Sequence, residues 1–353
     1  MKDKIIVVTF IVYIFFFGMA HIVIEDQKIS NVERRTLANI PKFELTSNYI
    51  SDFEDYLLDH FPLRDSFRSI KANFNYKVLN KLDNNQIFLN KNYIFKSEYP
   101  TNDKSIQNFK KHIDNISKLF KNNNAFLLIV PDKNYYLDTK NFLHIDYDYL
   151  YKEMAELSVD NIDIRQIMNL ADYYETDTHW RQEKILKVVD NIAKVFNLPK
   201  DNSQYTQEGP YDFYGVYSKE AALNRQPDKL YYLTNDILKD CQATYLENTR
   251  LNSVYNLEKL SSLDAYEVYL DGASAYIEII NDRSLTNREL IIFRDSFGSS
   301  ITPLLIPYYS KITVIDNRYI SSLNYLEYID FNTQDVLFVY STLIINNSFS
   351  LKG

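Results

Sequence analysis

The chain has 353 residues, 46% hydrophobic and 24% charged, enough to bury a large core in one domain with appendages or in two domains. A net charge of -8 leaves no basic footprint for nucleic acid and argues against that partner. The single cysteine, Cys241, rules out an intramolecular disulfide and a cysteine-based zinc site. Its polar setting, Leu238-Lys239-Asp240-Cys241-Gln242, does not read as that of a nucleophile.

Lys2 and Lys4 precede an uncharged apolar run from Ile5 to Ile24. Such a run is long enough to span the hydrocarbon core of a bilayer, with its positive flank inside and the rest of the chain outside. The expectation is a single-pass signal anchor over residues 1–24. The alternative is a cleaved signal peptide, because Gly18-Met19-Ala20 offers small residues at a cleavage position. Residues 25–90 read as a juxtamembrane stalk and a helical segment. Tyr49 to Phe61 has apolar residues at helical spacing, Pro62 breaks the chain, and Asp65 to Leu82 resumes a helix.

Residues 91–353 read as the main domain. Ile87-Phe88-Leu89 and Tyr93-Ile94-Phe95 flank a turn-like Asn90-Lys91-Asn92 and predict a small hairpin. Ser105 to Asn122 predicts a helix. Ala125 to Val130 is a continuous apolar run closed by Pro131, the pattern of a strand buried on both faces. Helices are expected over Tyr147–Leu157 and Trp180–Phe196, and irregular chain from Pro199 to about Asn235. A second hairpin is expected from Ala265–Leu270 and Ala275–Ile280 around Asp271-Gly272. The C-terminal part alternates strand Leu290–Phe293, helix Ser299–Tyr309, strand Ile312–Ile315 and strand Val336–Tyr340, which implies a parallel sheet with right-handed crossovers.

Two segments carry chemistry. In Ile291-Ile292-Phe293-Arg294-Asp295-Ser296-Phe297-Gly298, an apolar strand stops at a serine that opens a helix. The carboxyl end of a parallel strand is where ligands of open α/β sheets bind, and N–H groups at a helix start can stabilise an oxyanion. Ser296 is therefore a candidate nucleophile or, equally on pattern, part of a helix cap with Asp295. No Gly-x-Ser-x-Gly is present, so this is not the elbow of the common α/β-hydrolases. In Thr176-Asp177-Thr178-His179-Trp180, residues two apart in extended chain point to one side, so Asp177 can orient His179 as a base for a serine hydroxyl. The competing reading is that Asp177 or Thr178 caps a helix starting at Trp180.

The segments resemble, in order, the DHHW-type proteins related to the alginate O-acetyltransferases, in the SGNH-hydrolase superfamily. The resemblance rests on Glu33-Arg34-Arg35-Thr36-Leu37-Ala38 with Pro41, Phe53 to Asp65, and Val130-Pro131-Asp132-Lys133. It continues through Thr176 to Trp180, Asp212-Phe213-Tyr214-Gly215, Asp295 to Gly298, Ile312 to Arg318 and Asp335-Val336-Leu337. The namesake Asp-His-His-Trp reads Asp-Thr-His-Trp here, and the missing middle histidine is not the one assigned as base.

The resemblance implies an α/β, SGNH-hydrolase-like three-layer fold with a mainly parallel central sheet, preceded by a transmembrane helix and a helical segment. It implies Ser296 as nucleophile, His179 as general base and Asp177 as its orienter, spaced as in the alginate acetylation branch. Gly215 becomes a candidate oxyanion donor beside the Ser296 N–H. Lys133 and Arg294 are substrate-binding candidates, a surface lysine being the plainer reading of Lys133. The implied activity is extracellular O-acetyl transfer to a polysaccharide, with a polytopic membrane acyltransferase as acetyl donor and no soluble cofactor or metal. An acetyl esterase using the same residues, and a non-catalytic polysaccharide-binding scaffold, are the alternatives.

Overall fold

The computed structural model describes all residues except 1, 31–32, 34, 45, 121–123, 138–141, 224, 247–249, 252, 330 and 353. Arg34 of the motif after the apolar run and Asn122 at the expected helix end lie outside the described residues. The chain forms two compact units, Met1–Leu89 with Val216–Arg225, and Asn90–Gly215 with Gln226–Gly353.

In the first unit, α1 (Lys2–Val23) has no buried residue and is long and apolar enough to cross a membrane. It is followed by α2 (Ser47–Asp59) and α3 (Arg64–Asn73). The break expected at Pro62 occurs, and Leu63 takes a left-handed conformation (φ 59°) to redirect the chain. The helix expected to Leu82 instead leaves α geometry at Asn73 and passes through a π-helical turn over Phe74–Val78. The Asp59 carboxylate ties α2 back to the preceding segment, accepting from the Ala38 N–H (2.9 Å) and from Arg35.

The second unit is a three-layer α/β fold. Its helices are α4 (Asp103–Ser117), α5 (Tyr147–Met154), α6 (Leu186–Val195) and α7 (Phe297–Leu305). Its eight-stranded sheet comprises β1 (Ala125–Val130), β2 (Asp160–Asp163), β3 (Gln242–Tyr245), β4 (Arg250–Leu251), β5 (Tyr276–Ile280), β6 (Glu289–Arg294), β7 (Lys311–Ile315) and β8 (Asp335–Ser341), in the order β4-β3-β5-β7-β6-β8-β1-β2. Strands β7, β6, β8, β1 and β2 are mutually parallel, while β5, β3 and β4 add an antiparallel flank.

The unbroken apolar runs of β1, β6 and β8 have a simple cause: alternate residues enter different cores. Leu128, Val130, Leu290, Ile292, Leu337 and Val339 face the layer containing α6 and α7. Leu127, Ile129, Ile291, Phe293, Val336 and Phe338 face the layer containing α4 and α5. Burial on both faces removes the polar alternation of a half-exposed strand.

Several local expectations are corrected. The hairpin around Asp271-Gly272 does not form: Asp264 caps a 3-10 turn over Ala265–Val268, and β5 pairs with β3 and β7 instead. Residues 199–235 are not irregular throughout, since Thr206–Phe213 pairs antiparallel with Asp228–Thr234. A register irregularity between Glu208 and Tyr211, around Gly209-Pro210, breaks the alternation by which such a strand is read. The helix after Trp180 starts only at Leu186, preceded by a 3-10 turn over Gln182–Lys184. Helix α7 begins at Phe297, two residues earlier than expected, and yields after Leu305 to a 3-10 turn. Strands β2 and β3 were not expected, because Asp160-Asn161-Ile162-Asp163 and Gln242-Ala243-Thr244-Tyr245 are short and polar.

Candidate active site

Ser296 sits where β6 ends and α7 begins. From Leu290 to Tyr309 every residue is buried except Ser296. Its side chain makes no helix-capping bond. Asp295 does that work instead: Oδ1 accepts from the Phe297 N–H (2.9 Å), and Oδ2 accepts from the N–H (2.7 Å) and hydroxyl (2.6 Å) of Ser341 at the end of β8. Such a cap stabilises a helix by about 1 kcal/mol. The two readings of Asp295-Ser296 thus divide between two residues, the aspartate being the cap and the serine hydroxyl being left to face outward.

The hydroxyl meets His179. Nε2 lies 2.8 Å from Ser296 Oγ, and Nδ1 lies 2.6 Å from Asp177 Oδ1. With Nδ1–H donating to the carboxylate, Nε2 is the acceptor for the serine hydroxyl. Asp177 Oδ1 also accepts the His179 backbone N–H at 3.0 Å, so the two-residue spacing closes a turn on itself. Neither Asp177 nor Thr178 caps a helix, because the next 3-10 turn begins after Arg181.

The loop bearing these residues is held from several sides. The Asp228 carboxylate accepts from the N–H groups of Glu175 (2.9 Å) and Thr176 (2.8 Å) and from the Thr176 hydroxyl (2.6 Å). The Tyr174 N–H reaches the His179 carbonyl at 3.1 Å. Trp180, fully buried, donates its indole N–H to Ser300 Oγ at 2.7 Å, one turn along α7 from Ser296. The Tyr266 ring stacks on the His179 imidazole with centroids 3.9 Å apart and planes inclined by 13°, and its hydroxyl lies 2.8 Å from the same Ser300 Oγ. Gln182 bridges the Ser300 carbonyl (2.8 Å) and the Leu233 N–H (2.7 Å). Burial pushes the Tyr266 phenol well above its usual range, which keeps a neutral ring against the histidine.

Three expected site residues are bonded within the protein. The Gly215 N–H donates to Thr176 Oγ1 at 3.0 Å and is not free for an oxyanion. Glycine is required there for another reason, since a Cβ would fall on the Thr176 carbonyl and the Asp177 Cβ. Lys133 is not a surface lysine. It is 1% exposed, and its Nζ donates to the carbonyls of Tyr174 and Glu175, both at 3.1 Å. Burial lowers its pKa to about 7, opposed by the nearby Asp177 and Asp228 carboxylates. Arg294 is wholly buried behind the turn, donating to Ser299 Oγ (2.7 Å) and the Gly272 carbonyl (3.1 Å). The other proposed donor, the Ser296 N–H, makes no hydrogen bond among the described residues. Cys241 is buried and its thiol is pushed up to about 11, the reverse of a reactive thiolate.

Asp228, Tyr266, Ser300 and Gln182 were not found by sequence reasoning. Ser300 alone carried a signal, standing four residues after Ser296 and therefore on the same helix face. Asp228 opens the strand Asp228–Thr234 and Tyr266 lies in the 3-10 turn Ala265–Val268, both distant in sequence, and neither carries a signal.

The fold is shared with solved proteins. The chain is similar to a DHHW family protein from Eubacterium siraeum with a TM-score of 0.62 at 19% identity, over 77% of this chain and 97% of that one. PatB1 of Bacillus cereus matches with a TM-score of 0.60 at 19% identity, over 74% and 97%. PatB1 with a sulfonyl adduct gives 0.59 at 19% identity, over 73% and 95%. The likeness to DHHW-type proteins read from ordered motifs is thus met in the fold. No protein-family model matches the chain, and no curated protein matches its sequence.

Proposed function

We propose that this chain is a membrane-anchored, extracellular O-acetyltransferase that moves an acetyl group through a serine acyl-enzyme to hydroxyls of an exported or cell-wall polysaccharide. The observation that carries the reading is the continuous chain from Oγ of Ser296, the one residue between Leu290 and Tyr309 that is not buried, through the His179 ring to Asp177. The order of motifs resembling the DHHW-type and alginate acetylation proteins supplies the acetyl and polysaccharide parts. The exposed apolar α1 supports the anchor.

In the mechanism, His179 Nε2 takes the Ser296 proton as Oγ attacks the carbonyl carbon of the acetyl donor. The Ser296 N–H stabilises the oxyanion, and the departing group takes the proton from His179. An acetyl-serine remains. A sugar hydroxyl then attacks it, giving its proton to His179, which returns it to Ser296 as the acetylated product leaves. Asp177 keeps Nδ1 protonated and offsets the positive charge on the ring in both halves. A polytopic membrane acyltransferase is the proposed source of the acetyl group, and the mechanism needs no soluble cofactor.

The test is turnover of a chromogenic acetyl ester with and without oligosaccharide acceptors. Acetylated oligosaccharide supports the transferase. Free acetate alone, unchanged by acceptor, replaces it with an esterase. Neither product, with glycan still bound, replaces both with a scaffold.

A further inference from the structure

The first unit carries an apolar face that its own fold leaves uncovered. Along α3 and the π turn, Phe67, Ile70, Phe74 and Val78 recur every three or four residues, with Leu63 exposed just before α3 and Leu82 exposed beyond the turn. Their exposure runs from 40% at Phe67 to 65% at Leu63. The opposite side of the same helix supplies the buried contacts, at Ala72 and Asn75. A helix in water ordinarily arranges its apolar stripe the other way, toward the core.

The stripe is flanked by charge of one sign. Residues 64–82 hold five basic residues, Arg64, Arg68, Lys71, Lys77 and Lys81, against one acidic residue, Asp65, in a chain whose net charge is -8. Arg64 and Arg68 pair with Glu33. Lys71, Lys77 and Lys81 make no side-chain ion pair or hydrogen bond among the described residues.

The stripe also adjoins α1. The Phe17 ring stacks on Phe61 (centroids 5.2 Å apart, planes at 13°) and packs against Phe67 at 5.9 Å. Phe17 lies six residues before the end of α1, about 9 Å along a helix rising 1.5 Å per residue. If α1 spans a bilayer, Phe61 and Phe67 sit at that depth and not above the surface. His21, nearer the helix end, meets the Tyr56 ring edge-on at 5.6 Å, so α2 and α3 surround the last turns of α1.

We propose that the Leu63–Leu82 segment is a second membrane contact, lying in the lipid interface with its apolar stripe among acyl chains and its lysines at anionic headgroups. A basic amphipathic helix at the base of an anchor is the physical form such contacts take, and apolar area and headgroup attraction both contribute to binding. This rests on the anchor reading of α1. The expected stalk becomes a collar seated in the membrane surface.

The full chain tests this after reconstitution into phosphatidylcholine–phosphatidylglycerol vesicles carrying doxyl-labelled acyl chains. An environment-sensitive fluorophore is placed at Met19→Cys in α1 or, separately, at Ile70→Cys or Val78→Cys. All three positions are exposed, and the buried Cys241 stays unlabelled. The expected result is blue-shifted emission at Ile70 and Val78, quenched by doxyl lipid to an extent comparable with Met19. Quenching at Met19 alone, with Ile70 and Val78 reached by aqueous iodide, overturns the inference and leaves the anchor intact. Shielding of both from lipid and iodide assigns the face to a protein and overturns the lipid contact. No quenching at any position removes the anchor and the inference together.

Discussion

Trp180 donates its indole N–H to Ser300 Oγ at 2.7 Å, and this bond joins the loop carrying His179 to the helix opened by Ser296. Two residues far apart in sequence are thereby fixed to within a hydrogen bond of each other. The Trp180→Phe variant keeps most of the buried ring volume and loses the donor. Its stability should fall by about 1 kcal/mol, the net worth of a neutral hydrogen bond. Its activity should fall further than that loss explains, because the Ser296–His179 distance is no longer held. Denaturant titration and acetyl-ester kinetics on the same preparation check both.

The Asp177→Asn variant should fold normally and lose about 10⁴-fold in kcat, because an amide there no longer fixes the histidine tautomer. Circular dichroism and single-turnover acylation separate the two effects. Full activity would reduce Asp177 to a turn-forming residue.

A methyl group at position 215 has no room. Gly215→Ala would press on the Thr176 carbonyl and the Asp177 Cβ, and overpacking of this kind costs about 1–3 kcal/mol. The expected outcome is a lower Tm together with an equal fall in kcat and kcat/KM for a small ester whose KM is unchanged. Wild-type kcat in a destabilised variant would show that the loop yields without moving Asp177.

Lys133 gives a pH signature. Its folded pKa is depressed to about 7 from the ordinary 10.5, so between those values the unfolded chain binds more protons than the folded one. Stability should therefore rise with pH across that window, and the penalty is fully present below it. Lys133→Met removes this component of the slope. It also leaves the Tyr174 carbonyl without the lysine donor, at about 1–3 kcal/mol, while the Glu175 carbonyl keeps the Ile94 N–H at 2.8 Å. Denaturation midpoints of wild type and variant, compared from below pH 7 upward, should converge or diverge with that sign. A difference independent of pH would contradict a buried, titrating amine.

How much of this was legible in the sequence depends on where the information lay. The parallel strands β1, β6 and β8 were plain because burial on both faces leaves continuous apolar runs. That Ser296, His179 and Asp177 come together was legible because each sits in a compact local motif. The burial of Lys133 and Arg294 was not legible because a lone basic residue reads as exposed, while here the carbonyls of a tight loop hold the one and the Ser299 hydroxyl and Gly272 carbonyl hold the other. The hairpin at Asp271-Gly272 failed because β5 has better partners in β3 and β7, and pairing choice is a tertiary matter. Asp228, at a strand start, and Tyr266, in a 3-10 turn, support the His179 loop from segments distant in sequence, with no local motif to announce them.

The most direct measurement is turnover of an acetyl ester by Ser296→Ala beside wild type, with sulfonyl fluoride labelling followed by mass spectrometry. The account predicts a fall of about 10³-fold or more in turnover and labelling of wild type at Ser296, absent from the variant. Turnover near the wild-type rate, or labelling at another residue, would contradict it.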